Sequence, residues 1–176
     1  MNNPVLLENL RCIPDFPKKG INFRDITTLY KNPECMKIMV DEMYELYKDK
    51  GITKIVGIES RGFVMAAALA TKLGAGVVLA RKPGKLPATV IKESFSKEYG
   101  VDTVEMHIDS IDENDVVLIH DDILATGGTA KATLKLVNHF HPKKVYMNFI
   151  IEITDEGLHG RDCLEKDVEV TTLMVI

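Results

Sequence analysis

Two neighbouring carboxylates and a loop of small residues follow one another along the chain. Asp121 and Asp122 come directly after the apolar run Val116–His120, and Ala125-Thr126-Gly127-Gly128-Thr129 leads into a predicted helix. Small residues let backbone N–H groups converge on an anion, and the N-terminus of a helix adds partial positive charge. The loop therefore predicts a phosphate site. It is neither a Walker loop, since no Gly-Lys-Ser/Thr follows, nor the GxGxxG dinucleotide fingerprint.

The two aspartates must face something other than the phosphate, because their charge repels it. Ribose hydroxyls, which donate hydrogen bonds, or a bound Mg²⁺ would suit Asp121 and Asp122. A phosphorylated sugar satisfies both parts of the motif, with its 5′-phosphate on the loop and its ribose hydroxyls on the acids. For Gly127-Gly128 alone, a plain turn is an equally good interpretation. The acidic pair and the strand, loop and helix around it disfavour that interpretation.

Positive charge is concentrated at two further places. Arg61 follows the apolar run Lys54–Ile58 and begins a helical stretch, where its guanidinium and nearby backbone amides predict a second anion site. Arg81, Lys82 and Lys85 place three positive charges within five residues, in a chain whose net charge is -4. A solvated run of charges is the usual interpretation of such a cluster. Two prolines and a glycine in the same segment favour a defined loop instead.

The elements that position these residues follow from hydrophobic periodicity. A helix begins at Pro33 with Asn32 as its N-cap and ends by Gly51. Short continuous apolar runs, typical of parallel strands covered on both faces, then alternate with helical stretches. The predicted strands are Lys54–Ile58, Gly76–Ala80, Val116–His120, Lys144–Ile151 and Val168–Val175, and the later helices are Arg61–Leu73 and Gly128–Phe140. The pattern predicts an α/β fold with a mostly parallel central sheet flanked by helices, and ligands at the carboxyl ends of its strands.

One long connection has no helical period. Within residues 82–107, Thr89–Phe95 and Thr103–His107 are strand-like and lie on either side of a turn at Tyr99-Gly100. Connections of this length inside a compact domain are usually functional or disordered. We therefore predict a flexible β-hairpin flap that closes over the site. No linker or repeat divides the chain, so residues 1–176 are predicted to form a single domain.

Composition and charge exclude several classes of protein. With 22 Lys+Arg against 26 Asp+Glu, the chain lacks the basic excess of a non-specific nucleic-acid binder. The longest apolar stretch, Gly62–Ala70, is far shorter than the roughly 20 residues that span a bilayer. Three widely spaced cysteines, Cys12, Cys35 and Cys163, favour reduced thiols. We expect a cytoplasmic protein with neither nucleic-acid nor membrane partners.

Four motifs together carry a family resemblance. The segment from Val116 to Thr129 resembles the 5-phosphoribosyl-1-pyrophosphate (PRPP) motif of type I phosphoribosyltransferases. The other three are Pro14–Pro17 with Phe23–Ile26, then Glu59–Phe63, then Arg81–Pro87 with Glu98–Gly100. In this order and spacing they resemble the adenine phosphoribosyltransferase family over nearly the whole chain. The resemblance implies transfer of the phosphoribosyl group from PRPP to adenine, giving AMP and pyrophosphate, with Mg²⁺, in a homodimer. It also implies that residues 1–30 form an N-terminal hood over the base.

The resemblance assigns a role to individual residues. Asp121 and Asp122 would hold the ribose or Mg²⁺, and Glu98 would be the acid/base that manages the proton on adenine. Asp121 and Arg61 join Glu98 as the predicted catalytic residues. Pyrophosphate would contact Arg61, Arg81, Lys82 and Lys85. The adenine site would consist of Asn22, Phe23, Arg24, Ile123 and Ile153, with Phe23 stacking on the purine and the backbone of Asn22 and Arg24 hydrogen-bonding its edge.

Three positions depart from the pattern of the family. Asn22 stands where an aliphatic residue is usual, which leaves the base preference open, and Ala88 replaces a glycine after Leu86-Pro87. His120 replaces an aliphatic residue before the acidic pair. A lone histidine in a strand is more often a hydrogen-bonded core residue than a catalyst, so His120 is given no role.

Three other interpretations stay open from the sequence. A phosphoribosyltransferase for hypoxanthine, guanine or xanthine would need a donor to the 6-oxo group, commonly a late lysine, and Lys143 and Lys144 precede the predicted strand rather than follow it. A non-catalytic PRPP-binding regulator would need a DNA-binding extension or a basic face. A receiver-like signalling domain would carry its acidic pair after the first strand of the fold, and here the pair comes late.

Overall fold

A parallel sheet forms the centre of the computed structural model, which describes residues 2–97 and 100–176. The helices and strands in chain order are α1 (Pro4–Asn9), β1 (Arg11–Ile13), β2 (Phe23–Asp25), α2 (Thr27–Tyr30), α3 (Pro33–Tyr47), β3 (Lys54–Ile58), α4 (Gly62–Leu73), β4 (Gly76–Ala80), β5 (Val90–Lys97), β6 (Gly100–His107), β7 (Val116–Leu124), α5 (Gly128–Asn138), β8 (Lys144–Glu152) and β9 (Glu169–Val175). Two single-turn 3-10 segments, Asp155–Gly157 and Gly160–Cys163, lie between β8 and β9.

Within the described residues, five strands pair in parallel in the order β4-β3-β7-β8-β9. From β3 the chain crosses through α4 to β4 on one side, and from β7 it crosses through α5 to β8 on the other. The direction in which successive strands are added to the sheet therefore reverses between β3 and β7. Open α/β sheets bind ligands at the carboxyl ends of the strands that flank such a point.

Apolar side chains fill both faces of this sheet. On one face α3 and α4 pack Met39 and Met65 against Ile55 and its neighbours. On the other face α5 contributes Leu134 and β6 contributes Met106 to the cluster around Val56. Burial on both faces explains why the strands are continuous apolar runs rather than alternating ones. The predicted α/β class with a mostly parallel sheet flanked by helices is confirmed.

The end of β7 differs from its prediction in a way that affects the site. The sequence predicted a strand that stops at His120, whereas β7 continues to Leu124. Parallel pairing with β8 persists there, with Ile123 opposite Ile151 and Leu124 opposite Glu152. The acidic pair therefore lies within the strand rather than after it, where the ladder restricts its backbone.

Helix ends follow the capping signals for the most part. Asn32 accepts hydrogen bonds from the N–H groups of Glu34 and Cys35 with its side chain, as an N-cap should. The helix ends at Tyr47, four residues before the predicted Gly51, and residues 48–51 form a turn. Gly74 ends α4 in the left-handed conformation with φ of 72°.

The hairpin predicted in residues 82–107 is present. β5 pairs with β6 in antiparallel register from Val90 opposite His107 to Lys97 opposite Gly100. The hairpin lies against α5, where Lys135 Nζ is 2.8 Å from Glu93 Oε1. Its movement as a flap stays a prediction.

The N-terminal segment is a small layer at the edge of the site. β1 and β2 pair in antiparallel register with Cys12 opposite Arg24, and an ion pair between Arg11 and Asp25 crosses the two strands. The Tyr30 hydroxyl donates a hydrogen bond to the carbonyl oxygen of Arg61 at 3.0 Å. This bond ties α2 to the loop after β3. Among the described residues, no helix combines the length and the apolar character that crossing a bilayer requires.

Candidate active site

A cavity of about 320 Å³ opens at the carboxyl ends of β3 and β7. Its lining combines residues that the sequence had singled out in separate motifs, Arg61, Lys82, Asp121, Asp122 and Thr129, with Glu59 and Ser60. The structure thus places an acidic pair and two cations in one space, at the switch point of the sheet. The cavity is the candidate active site.

The two aspartates of this cavity differ in their surroundings. Asp122 is only 4% exposed, and its Oδ2 lies 2.5 Å from Nε of Arg61. Asp121 accepts the backbone N–H of Asp122 at 2.9 Å. Burial, and then the charge of Asp122, raise the pKa of Asp121 well above its usual range. A raised pKa favours the protonated form of Asp121. A positively charged partner favours the ionised form, so its binding would release that proton.

The ion pair with Asp122 modifies the expectation for Arg61. Arg61 was predicted to face pyrophosphate, and in the structure it is bound to an acid of the ribose motif instead. A guanidinium has five N–H donors, so an anion can still bind on the side that Asp122 leaves open. Arg61 thus connects the two halves of the predicted site.

Gly62 sets the distance between α4 and β7. A Cβ at this position would lie 2.7 Å from the His120 carbonyl oxygen and 3.2 Å from Cα of Asp121. Any side chain would push the N-terminus of α4 away from the acidic pair. The close approach explains why a glycine follows Arg61.

A second concavity of about 120 Å³ lies at the loop Ala125–Thr129, here called the phosphate loop. It is lined by Asp121 and residues 123–130, so Asp121 borders both cavities. Gly127 takes a left-handed conformation with φ of 77° and precedes the first residue of α5. The N-terminus of a helix of 11 residues therefore opens toward this space, as an anion site requires.

The loop that carries the three cations is held by Glu59, which the sequence placed in a motif without giving it a role of its own. Glu59 accepts hydrogen bonds from the backbone N–H of Lys82 at 2.9 Å and from Nε of Arg81 at 3.2 Å. The hydrogen bond from Lys82 is the largest cause that lowers the pKa of Glu59. Arg81 also donates to the carbonyl oxygen of Lys85 at 3.1 Å. A role for Glu59 could have been predicted from its position directly before Ser60-Arg61, at the end of a strand.

These contacts distinguish the three predicted pyrophosphate residues of the loop. Lys82 lines the main cavity, whereas Arg81 lines an adjoining one of about 130 Å³ together with Lys82. Lys85 is exposed and, of the described residues, is not among those that line either cavity. A pyrophosphate contact for Lys85 therefore rests on the resemblance alone.

Glu105 fixes the same loop from β6. Its carboxylate accepts the backbone N–H of Gly84 at 3.0 Å, and its backbone exchanges two hydrogen bonds with Arg81. The side chain is 8% exposed. Glu105 was given no role from the sequence, and in the structure it is buried together with its neighbours Val104 and Met106.

The residues predicted for adenine lie beside the cavity. The ring of Phe23 packs edge-on against Phe16 with centroids 5.2 Å apart, and the Arg61 guanidinium lies 5.9 Å from its centroid. Ile153 donates its N–H to the Leu124 carbonyl oxygen at 2.9 Å, directly after Ile123. Asn22 is exposed. The structure therefore brings Phe23, and the strand end that carries Ile123 and Ile153, to the carboxyl edge of the sheet.

Arg24 links the two sides of this region. Its side chain is 7% exposed, and Nη2 lies 2.8 Å from Oδ2 of Asp155. Nη1 donates to Sγ of Cys12 at 3.3 Å. Asp155 follows Ile153 closely in the chain, so the ion pair joins β2 to the segment after β8. Asp155 lay outside every sequence motif and was missed.

The chain also matches known proteins over most of its length. A family model described as a phosphoribosyl transferase domain matches residues 25–167. The chain belongs to the phosphoribosyltransferase family. It is 60% identical, over the full length of both proteins, to the adenine phosphoribosyltransferase of Phocaeicola vulgatus.

Solved phosphoribosyltransferases share its fold. The adenine phosphoribosyltransferase of Rhodothermus marinus aligns with a TM-score of 0.91 at 47% identity, covering 98% of this chain and 97% of the other. That of Saccharomyces cerevisiae, complexed with an imino-altritol bisphosphate and adenine, aligns with a TM-score of 0.88 at 38% identity, covering 96% of both chains. The predicted resemblance to adenine phosphoribosyltransferases is confirmed, and a receiver-like domain is excluded.

The sequence also led to predictions for Glu98 and His120 of this phosphoribosyltransferase. Glu98, the predicted acid/base, lies outside the described residues, as does Tyr99. His120 is fully buried, and its Nδ1 lies 3.0 Å from Oδ1 of Asn148. Burial lowers the pKa of His120 to about 4. The interpretation of His120 as a hydrogen-bonded core residue is confirmed.

Proposed function

We propose that the chain transfers the 5-phosphoribosyl group from PRPP to adenine, giving AMP and pyrophosphate, and so acts in purine salvage. The observation that carries this proposal is the cavity in which Arg61, Lys82 and the two aspartates meet the phosphate loop. A substrate with an anion at each end and hydroxyls between them matches this order of charges. The names of the relatives add adenine as the base.

PRPP binding follows from this order. The 5′-phosphate binds at the phosphate loop, whose backbone N–H groups and helix N-terminus favour an anion. Ribose hydroxyls donate to Asp121 and Asp122. Pyrophosphate lies toward Lys82 and the open side of the Arg61 guanidinium, with Arg81 and Lys85 as its further predicted contacts.

Catalysis follows from the charge that develops as the bond from C1′ to pyrophosphate breaks. The ribosyl centre gains oxocarbenium character and the leaving group gains negative charge. Arg61 stabilises the leaving group with a guanidinium that Asp122 already holds in place, so it needs little reorganisation. Lys82 adds a second positive charge, and Glu59 holds its backbone at the edge of the cavity. Holding adenine in line with C1′ contributes further to the rate enhancement.

Mg²⁺ fits this site as an ion carried by the substrate. Among the described residues, no cluster of three or more His, Cys, Asp or Glu side chains could hold a metal by itself. Mg²⁺ is often bound by one or two carboxylates together with substrate phosphates. We infer that Asp121 or Asp122 contributes to such a site, where a bound ion would neutralise charge on the pyrophosphate.

Adenine recognition is proposed at the hood. Phe23 stacks on the purine, Ile123 and Ile153 line the opposite side, and the backbone of Asn22 and Arg24 pairs with N1 and the exocyclic amine. A 6-oxopurine reverses these two hydrogen bonds and leaves buried groups unpaired, which disfavours it strongly. The ion pair from Arg24 to Asp155 supports this assignment, because it holds the two walls of the pocket together.

Residues 1–176 are proposed to act as one domain, with residues 1–30 as the hood and residues 82–107 as the flap. The flap would close over the bound substrates and bring Glu98 to the base as the acid/base. This role rests on the resemblance. The contacts of the hairpin with α5 support a position near the phosphate loop.

A homodimer is proposed through the face of β4. Val77 and Leu79 are 42% and 39% exposed, and they pair with Ile55 and Gly57, so they lie on the face of the sheet that α4 covers. On α4 itself, Val64 is 41% exposed. A second copy of the chain would cover this apolar edge, directly before the Arg81–Lys85 loop. The cytoplasm remains the proposed location, on the grounds of composition and cysteine usage.

One substitution tests the proposed site. In Asp121→Asn, we expect kcat for AMP formation from radiolabelled adenine and PRPP with Mg²⁺ to fall by about two orders of magnitude, since a charge next to the ribose is lost. Asp109→Asn, at an exposed aspartate after β6, is the matched control. Full activity in a folded Asp121→Asn protein would contradict the assignment. Binding of PRPP with no pyrophosphate release for any base would favour a non-catalytic regulator.

A further inference from the structure

The 3-10 turn Gly160–Cys163 lies directly behind the phosphate loop. A Cβ at Gly160 would overlap the carbonyl oxygen of Ala125 and lie 3.0 Å from the backbone N of Gly127. In return, a Cβ at Gly127 would overlap the carbonyl oxygen of Gly160 and Sγ of Cys163. The two segments are in backbone contact, which leaves no room for a side chain on either glycine.

Space rather than backbone conformation requires the glycine at position 160. Gly127 has a positive φ, and a side chain there would be strained in any surroundings. Gly160 has no positive φ and adopts a conformation open to other residues. Its buried contact with Ala125 and Gly127 is therefore the physical reason for the absence of a side chain.

Cys163 adds a polar contact to the same interface. Its Sγ lies 3.0 Å from the carbonyl oxygen of Gly160 and 3.6 Å from that of Thr126. The S–H group can donate to either carbonyl. The contact with Thr126 joins the turn to the middle of the phosphate loop.

The turn is itself fixed to the sheet through Arg161. Nε and Nη2 of Arg161 bind the two carboxylate oxygens of Glu152 at 2.8 and 2.5 Å, and Nη1 donates to the carbonyl oxygen of Val170 at 2.8 Å. Glu152 ends β8 opposite Leu124, the residue before the phosphate loop. The start of the loop and the turn behind it are therefore both held by the end of β8.

We propose that the Gly160–Cys163 turn positions the phosphate loop, so that Gly160 and Cys163 are positioning residues for the 5′-phosphate of PRPP and AMP. The loop has few side chains of its own with which to hold its backbone, since three of its five residues are Ala or Gly. The contacts of Gly160 and Cys163 with the loop backbone hold its N–H groups in the orientation that binds the phosphate. This inference rests on the proposed function, which places the 5′-phosphate at the loop.

The test compares two ligands that differ only in the phosphate. Kd values for AMP and for adenosine are measured by titration calorimetry, and their ratio reports the contribution of the phosphate alone. In Gly160→Ala we expect the preference for AMP over adenosine to fall by about tenfold or more, because a small displacement of the loop N–H groups misaligns them. A purely structural role would weaken both ligands together and leave the ratio unchanged.

Gly76→Ala is the matched control. A Cβ at Gly76 would lie 3.4 Å from the Lys54 side chain and 3.8 Å from the Thr53 carbonyl oxygen, both ordinary van der Waals contacts, and the residue has no positive φ. We expect the ratio in this variant to equal that of the wild type. An unchanged ratio in folded Gly160→Ala would overturn the proposal.

Cys163 provides a second test should Gly160→Ala fail to fold. Cys163→Ala removes the donor without adding atoms. We expect the preference for AMP over adenosine to fall by about threefold, as for the loss of one weak hydrogen bond. Cys163→Ser, which keeps a donor, should retain more of the preference for AMP than Cys163→Ala does. Cys35→Ala, at a thiol buried elsewhere in the core, is the control for general loosening. A ratio in Cys163→Ala equal to that of the wild type would overturn the proposal.

Failure of the proposed function would look different. In that case the wild-type protein itself would bind AMP no more tightly than adenosine, and would form no AMP from adenine and PRPP. A wild type that prefers AMP, together with variants that keep the full preference, contradicts only the role of the turn.

Discussion

At the scale of single residues, cations of the site are held by carboxylates from other parts of the chain. Asp122 holds Arg61, and Glu59 holds both Arg81 and the backbone of Lys82. An anion that arrives meets groups whose positions are already set, and this lowers the cost of reorganisation in the transition state. The acids are therefore as much a part of the anion site as the cations.

Glu59→Gln tests this arrangement. We expect KM for PRPP to rise and kcat to fall, each by about tenfold, because a charged hydrogen-bond acceptor contributes about 1.5–3 kcal/mol. Steady-state kinetics with varied PRPP make the measurement. Glu169→Gln, which removes an exposed ion pair with Lys50, should change neither parameter. Unaltered kinetics in Glu59→Gln would show that the loop is held without this carboxylate.

His120 predicts a pH dependence of stability. Its pKa is about 4 in the folded protein against 6.5 when unfolded, so the unfolded chain takes up a proton first as the pH falls. The contribution is fully present above pH 6.5 and is lost toward pH 4, by about 3 kcal/mol at most. Urea unfolding of wild type and His120→Gln at pH 7 and pH 5 measures it. Equal losses in the two proteins would rule out His120 as the source.

At the scale of elements, close approaches of backbone set the geometry of the site. Gly62 brings α4 against β7, and Gly127 and Gly160 bring the phosphate loop against the turn after β8. The loop and the helix after it could be predicted from the sequence, since an apolar strand and two glycines mark them locally. The turn could not, because Ala125 and Gly160 lie far apart in the chain and no periodic pattern relates them.

Gly62→Ala tests the approach of α4 to β7. We expect the free energy of unfolding to fall by about 1–3 kcal/mol, because the added methyl group overlaps the His120 carbonyl oxygen. Turnover should fall as well, since Arg61 moves with the N-terminus of α4. Urea unfolding and initial rates, compared with Gly76→Ala, give both values. A variant as stable and active as that control would contradict the close contact.

At the scale of the whole molecule, topology gathers the site. The sheet grows in opposite directions from β3 and β7, so the motif with Arg61 and the motif with Asp121 end side by side. Alternating strands and helices predict the shared carboxyl edge, because parallel strands end on the same side of a sheet. That β3 and β7 are neighbours is known only from the strand order in the structure. The partners Glu105 and Asp155 could not be predicted, since they approach the site only through the packing of distant segments.

We also expect two copies of the chain to associate through β4. Leu79→Asp places a charge on the exposed apolar side of edge strand β4, and burying that charge would cost several kcal/mol. We expect the mass measured by light scattering to change from a dimer to a monomer. Leu7→Asp, at a similarly exposed leucine on α1, should remain a dimer. A monomeric wild type would exclude the proposed interface.

The choice of base is the sharpest test of the proposed function. Purified wild type is incubated with PRPP, Mg²⁺ and radiolabelled adenine, hypoxanthine or guanine, and the nucleotide formed is measured over time. We predict that AMP forms with release of one pyrophosphate per turnover, and that kcat/KM for adenine exceeds that for either oxopurine by about two orders of magnitude or more. Faster turnover of hypoxanthine than of adenine would exclude adenine as the preferred base, and no nucleotide from any base would exclude phosphoribosyl transfer.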